Sequence, residues 1–107
     1  MLRIPSKRPP THPGKMLSEE FLKPINMTQT QLAERIGVSY VRVNEIVNAR
    51  RGITPDTALR LSTLFGTTPD FWLNGQLAWD LYHTRRSPET RAALKKIKTM
   101  DLTHAHR

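Results

Sequence analysis

The fold is decided by residues 28–48, which read TQTQLAERIGVSYVRVNEIVN. Apolar residues repeat at helical spacing on both sides of a glycine. Gly37 permits the left-handed backbone conformation that ends a helix, and Ser39 is a good N-cap for the next helix. Two short helices joined by a Gly-containing turn of about three residues form a helix-turn-helix. The residues expected to face inward are Leu32, Ala33, Ile36, Val43, Ile46 and Val47.

In a DNA-binding helix-turn-helix, the N-terminal part of the second helix enters the major groove. We predict that this helix runs from residue 40 to about residue 48. Asn44 has an amide that can pair bidentately with adenine, and Tyr40 and Val41 can touch a thymine methyl group. The predicted base-reading residues are Ser39, Tyr40, Val41, Asn44 and Glu45.

Contacts to phosphate are expected at both ends of the motif. Thr28 can cap the first helix, which puts Gln29 and nearby backbone N–H groups at a helix N-terminus, where phosphates bind. Arg50 and Arg51 adjoin the second helix, so we expect phosphate contacts from them, although loop arginines are often only solvated. The predicted phosphate-binding residues are Gln29, Arg42, Asn48, Arg50 and Arg51.

Glu45 is the weakest of these assignments, because phosphates repel a carboxylate. It can accept a hydrogen bond from a cytosine amino group or orient an arginine. The alternative role is structural, an ion pair with Arg42 or Arg50.

Further helices are predicted on both sides of the motif. Pro13 suits the first turn of a helix that runs to about Lys23, where Pro24 ends it. Thr54 and Thr68 are each followed by proline and start two more helices. The residues expected to face inward are Met16, Leu17, Phe21 and Leu22 before the motif, and Ala58, Leu59, Leu61, Leu64 and Phe65 after it.

The last of these helices, at residues 69–83, is apolar over more than one face. A helix of that kind is buried on more than one side. So small a domain cannot enclose all its aromatic residues, so we predict that the surplus face forms a homodimer, with burial inside one subunit as the alternative. The predicted dimer interface consists of Phe71, Trp72, Leu73, Leu77, Trp79 and Tyr82.

The two ends of the chain are basic. Residues 1–11 are Pro-rich and are expected to form a loose arm, the alternative being contact with phosphate or a partner protein. Residues 87–107 contain a basic amphipathic helix followed by a tail, which could dock on a second subunit, bind a partner protein or be solvated. His104 and His106 lack a third ligand, so no metal site is predicted.

Composition limits the remaining possibilities. The chain has 107 residues, enough for one domain, and its net charge of +8 favours nucleic acid ahead of membrane as partner. It has no cysteine, no apolar run near the ~18 residues of a transmembrane helix and no signal-peptide h-region. We therefore expect a cytoplasmic, nucleoid-associated protein. No catalytic arrangement or phosphate-binding glycine loop is recognisable, so neither enzyme activity nor a cofactor is predicted.

Longer motifs add a family resemblance between residues 12 and 82. They are HPGKMLSEEFLKP, QLAERIGVS, RVNEIVNARRGITPDTALRLSTLFGTTPDFWLN and QLAWDLY. With these the chain resembles HigA-type antitoxins, also called virulence-associated protein I or VapI, within the lambda-repressor-like (XRE) helix-turn-helix proteins. The resemblance implies a DNA-binding autorepressor that neutralises an RNase toxin of the HigB (RelE-like) type. Gly75 departs from the family, which favours a larger apolar residue there.

Together these observations predict an all-α, lambda-repressor-like DNA-binding domain of about five helices plus a C-terminal helix. A basic arm (1–11) precedes the helix-turn-helix domain (12–86), and a basic helix and tail (87–107) follow it. The predicted function is that of a homodimeric repressor of a palindromic operator, acting as the antitoxin of a type II toxin–antitoxin system. Two alternatives stay open: a toxin-neutralising module that binds DNA weakly, and a stand-alone regulator without a toxin.

Overall fold

The computed structural model describes residues 9–101, and within that range the chain forms helices and no β-strand. The all-α class predicted from the sequence is confirmed. The predicted arm lies mostly outside this range, at residues 1–8, and so do His104 and His106. The α-helices are α1 (Pro13–Met16), α2 (Gln29–Ile36), α3 (Tyr40–Val47), α4 (Pro55–Phe65), α5 (Pro69–Arg86) and α6 (Pro88–Lys95).

Side-chain caps set the helix starts. Thr28 and Gln31 form a capping box before α2, in which each side chain accepts a hydrogen bond from the other residue's backbone N–H. Ser39 caps α3 by accepting from the backbone N–H of Arg42. Four helices begin with proline after a capping residue, because proline has no N–H to leave unpaired in a first turn. These capping residues are His12, Thr54, Thr68 and Ser87.

The sequence predicted that the first helix ends at Pro24, but the helical run continues past that residue. It continues from α1 through a π-helical segment, Leu17–Leu22, and a 3₁₀ turn, Lys23–Ile25. Pro24 fits because it lies in the first turn of the 3₁₀ segment, where its missing N–H costs no helix hydrogen bond. Asn26, with a left-handed φ of 56°, then ends the run.

The core lies between α1, its π-helical continuation and helices α2 to α5. Trp72 is fully buried, and its indole Nε1 donates a hydrogen bond to Thr67 Oγ1 at 2.8 Å. Leu59 was predicted to be buried but is 57% exposed. Helix α4 instead turns Thr57 and Ala58 inward, and Leu59 falls just beyond that face. The buried apolar residues are Leu17, Leu22, Leu32, Ala33, Ile36, Val43, Ile46, Ile53, Ala58, Leu61 and Trp72.

Helix α1 packs against α3 at a glycine. A Cβ on Gly14 would lie 1.7 Å from the backbone oxygen of Ile46, so only glycine allows this approach. His12 secures the same turn, since its Nδ1 accepts from the N–H of Gly14 at 2.9 Å. Burial lowers the pKa of His12, and the carboxylate of Asp80 opposes that shift. The neutral imidazole is therefore the form that caps α1.

Helices α5 and α6 form the C-terminal part of the described chain. α5 extends to Arg86, beyond the predicted end at His83, and α6 follows after the single residue Ser87. Leu94 in α6 is 55% exposed, and Ile97 lies beyond the end of that helix. No helix within residues 9–101 is both long enough and apolar enough to cross a membrane.

Candidate nucleic-acid interface

The second helix of the motif, α3, presents one face to the core and the opposite face to solvent. Val43 and Ile46 are almost completely buried, which fixes the inward side. Tyr40 and Val41 are 49% and 60% exposed at the N-terminal end of the helix. A helix held in this way can enter a major groove with its first turn. The prediction that this helix is exposed is confirmed.

Asn44 is oriented by two neighbours. Its Nδ2 donates to Gln29 Oε1 at 3.0 Å and lies 3.4 Å from the hydroxyl oxygen of Tyr40. Gln29 is the first residue of α2, so the first turn of one helix contacts the middle of the next. Bidentate pairing with adenine needs both the Oδ1 and the Nδ2 of asparagine. The Asn44 amide nitrogen has two N–H donors, so it can keep the bond to Gln29 and turn the second donor, which faces Tyr40 here, towards adenine.

Glu45 forms an ion pair with Arg51, not with the predicted Arg42 or Arg50. Its Oε1 accepts from Arg51 Nε at 2.8 Å and lies 2.7 Å from Nη2. The loop after α3 turns Arg51 back towards Glu45. In that loop the N–H of Arg50 donates to the carbonyl of Glu45, and Ala49 takes a left-handed φ of 60°. The Arg51 side chain stays 48% exposed, so Glu45 orients a guanidinium that can still face a phosphate.

Arg42 points away from the predicted phosphate contact and towards α4. Its Nη2 donates to Asp56 Oδ2 at 2.8 Å and to Thr57 Oγ1 at 2.6 Å. Asp56 also accepts from Arg60 Nε at 2.8 Å. The hydrogen bond from Arg42, and to a smaller extent the one from Arg60, holds the pKa of the Asp56 carboxyl below its ordinary value. Asp56 is therefore ionised at neutral pH. A role for Asp56 and Arg60 was not predicted from the sequence, because neither residue lies in the helix-turn-helix motif.

The other predicted contact residues lie at the ends of α3. Ser39 is exposed, and its hydroxyl serves as the N-cap. Asn48 is exposed at the opposite end, where its Nδ2 donates to the carbonyl of Asn44 at 2.9 Å. Arg50 is exposed in the following loop. Their roles towards DNA stay predictions.

The predicted dimer surface is wrong at Trp72, because that side chain has no exposed surface within its own subunit. The aromatic rings of Phe21, Phe65 and Phe71 lie around it. Leu73 is partly buried against the same core.

Further along α5, the predicted aromatic interface residues also have partners within the subunit. The ring of Trp79 lies 4.9 Å from that of His12 and 4.3 Å from that of His83. Arg86 stacks on the ring of Tyr82. Leu77, by contrast, is 55% exposed, so it is the predicted interface residue most open to a second chain.

Comparison with known proteins identifies one family. The chain matches the helix-turn-helix family model over residues 19–72. It is 50% identical over 76 residues to virulence-associated protein I of Dichelobacter nodosus, covering 71% of this chain and 70% of that protein. It is 37% identical to antitoxin HigA-1 of Vibrio cholerae, covering 95% and 96% of the two chains.

A solved structure gives the same result. The Pseudomonas aeruginosa antitoxin HigA with the higBA promoter has a TM-score of 0.79 and 34% identity, covering 86% of this chain and 99% of that one. The chain therefore belongs to the helix-turn-helix family of HigA-type antitoxins.

Proposed function

We propose that this protein binds a palindromic operator as a homodimer, represses its own operon and neutralises an RNase toxin of the HigB (RelE-like) type. The observation that carries the proposal is the exposed first turn of α3, bordered by the Glu45–Arg51 pair. The family consists of DNA-binding antitoxins, and the protein is a DNA-binding antitoxin and not an enzyme. The protein would bind its operator DNA in the cytoplasm, at the nucleoid.

Base choice and affinity would depend on different residues. Tyr40, Val41 and Asn44 lie on the exposed side of α3 and would read base edges in the major groove. Arg51, with Gln29 at the N-terminus of α2, would bind phosphates on either side of the groove.

The test begins with selection of genomic fragments by the purified protein at physiological salt. Asn44→Ala should cost about 1–3 kcal/mol on the selected site and relax base choice at one position. Arg51→Ala should weaken binding to all sequences. It should also reduce the slope of the logarithm of the binding constant against the logarithm of salt concentration by about one, the value of one lost phosphate contact. If neither change alters operator binding, these assignments are wrong.

The homodimer would form through α5, on a face centred on Leu77 and Leu81. These leucines are 55% and 41% exposed, and they lie one helical turn apart on the same side of the helix. A protein with one recognition helix needs two half-sites about one turn of DNA apart, and a second copy supplies the other helix. This face replaces the predicted interface around Trp72.

Leu81→Glu should produce a monomer in sedimentation analysis and abolish cooperative binding to the palindrome. Leu59→Glu is the matched control, because Leu59 is 57% exposed on α4 and lies outside α5. An L81E variant that stays dimeric would refute the α5 interface. The toxin assignment has its own test, which is co-purification with the product of an adjacent small basic reading frame.

A further inference from the structure

One carboxylate connects α3 to the turn that precedes it. Asp56 Oδ2 accepts from Arg42 Nη2 and from Arg60 Nε, each at 2.8 Å. Arg60 Nη1 donates in turn to the carbonyl oxygens of Ile36, at 2.7 Å, and Gly37, at 3.3 Å. We call Arg42, Asp56 and Arg60 the Asp56 network. It joins the end of α2, the turn, α3 and α4.

Each member has a physical reason to be where it is. The carbonyl groups of Ile36 and Gly37 lie at the C-terminal end of α2, where they lack helical partners and carry partial negative charge. Arg60 satisfies them with a cation. Asp56 lies in the first turn of α4, where the helix dipole favours a negative charge. Each contact in the network therefore joins opposite charges or partial charges: Arg42 to Asp56, Asp56 to Arg60, and Arg60 to the carbonyl groups at the end of α2.

The Asp56 network constrains the orientation of α3 in a way that the apolar core does not. Val43 and Ile46 hold α3 on the core, but apolar burial is not directional. Hydrogen bonds are directional, and those of Arg42 fix the rotation of α3 about its own axis. A helix that reads base edges must be held to within about 0.5 Å and 10–20° of its productive geometry.

We propose that Asp56 is a positioning residue for DNA recognition, one that orients α3 through Arg42 and the turn through Arg60 without touching DNA itself. This inference rests on the proposed function, because it concerns discrimination among DNA sequences. The network contributes more to orientation than to stability, since exposed ion pairs stabilise a fold little. The side chains of Arg42, Asp56 and Arg60 are 26%, 56% and 39% exposed.

The chain provides a matched control in its second Thr-Pro-Asp sequence. Asp70 occupies the same place in the first turn of α5 that Asp56 occupies in α4. Asp56→Ala and Asp70→Ala each remove one negative charge from one first turn, and the resulting gain in attraction applies to any DNA, so it cancels in a ratio of two affinities. Only the change at Asp56 removes the partner of Arg42 and Arg60.

The experiment compares the operator selected by the wild-type chain with a scrambled duplex of equal length, at one salt concentration. The measured quantity is the ratio of the two dissociation constants. D56A should lower the discrimination ratio about fivefold, the factor that corresponds to an ordinary coupling between contacting residues. D70A should leave the ratio unchanged. Loss of stability alone would weaken both duplexes equally and would not change the ratio.

The outcomes separate the two claims. A wild-type chain that does not discriminate overturns the proposed function and this inference with it. A discriminating wild type with equal ratios for D56A and D70A overturns the inference alone. If D56A fails to fold, Arg60→Lys carries the test, because a lysine keeps the charge but cannot bridge Asp56 and both turn carbonyls. R60K should also lower the ratio, and an unchanged ratio refutes the proposal.

Discussion

Gly14→Ala tests the close backbone contact between α1 and α3. The new Cβ would lie 1.7 Å from the backbone oxygen of Ile46, whereas real Cβ atoms keep about 3.0 Å from such an atom. Neither partner can move alone, because both belong to helical backbone. α1 must therefore withdraw from α3 by roughly 1.3 Å, the difference between those two distances.

The loss of folding free energy depends on the contacts made by α1 and by the residues that continue from it. Overpacking of a close contact costs about 1–3 kcal/mol. The shift also disturbs Leu17 and Leu22, which are 1% and 4% exposed and continue directly from α1. Alanine returns at most about 1 kcal/mol of helix propensity over glycine. A clash this close takes the upper end of the overpacking range, so after the gain in helix propensity we expect a net loss of about 2 kcal/mol, or a melting temperature about 8–16 °C lower.

The assay is thermal and urea unfolding followed by circular dichroism, with Gly75→Ala as the control. A Cβ on Gly75 would lie 3.5 Å from Pro13 Cβ, an ordinary contact, so G75A should gain about 1 kcal/mol. Both changes add one methyl group where α1 meets another helix, and they should shift stability in opposite directions. A G14A protein that melts within about 2 °C of the wild type would refute this account of the packing.

Three further predictions concern stability. Burial lowers the pKa of His12 from 6.5, so protons bind the unfolded chain more readily, and stability should fall as pH drops below about 6.5 and level off below the folded-state pKa. His12→Asn keeps a cap acceptor and should flatten that part of a urea-unfolding pH series; a flat wild-type curve contradicts the idea. Trp72→Phe removes the bond to Thr67 and leaves a cavity, which should lower urea stability by about 2 kcal/mol without changing sedimentation. Ala49→Gly relieves a left-handed φ of 60° and should raise stability by about 1 kcal/mol; a lower melting temperature argues against strain there.

The helices could be predicted from the sequence because their signals are local. Thr28, Ser39 and the Thr-Pro pairs mark helix starts through bonds within one turn. Gly37 ends α2 with a left-handed φ of 74°, as predicted. The spacing of apolar residues shows which side of a helix faces inward. It does not show how wide the buried face is, and Leu59 was misplaced for that reason.

Contacts that reach beyond one helical turn could not be predicted in this way. Glu45 binds Arg51 because of a turn whose left-handed residue is Ala49, which has no sequence signal for that conformation. Trp72 was assigned to an interface because α5 is apolar on several sides, whereas two of the three rings around it, those of Phe21 and Phe65, come from other helical segments. Gly14 gave no signal as a contact residue, because its neighbour Ile46 lies 32 positions further along the chain.

Charge count alone predicts affinity for DNA, but the candidate interface contains two acids that oppose it. Glu45 lies on the helix that would enter the groove and Asp56 lies beside it, and each carboxylate repels phosphate. A surface selected only for affinity would carry neither. Each acid, however, orients an arginine, Arg51 in one case and Arg42 in the other. The pairing reduces the non-specific attraction of a chain with net charge +8 and adds directional bonds around α3. A repressor needs that combination, because discrimination between operator and bulk DNA depends on the ratio of the two affinities and not on either one.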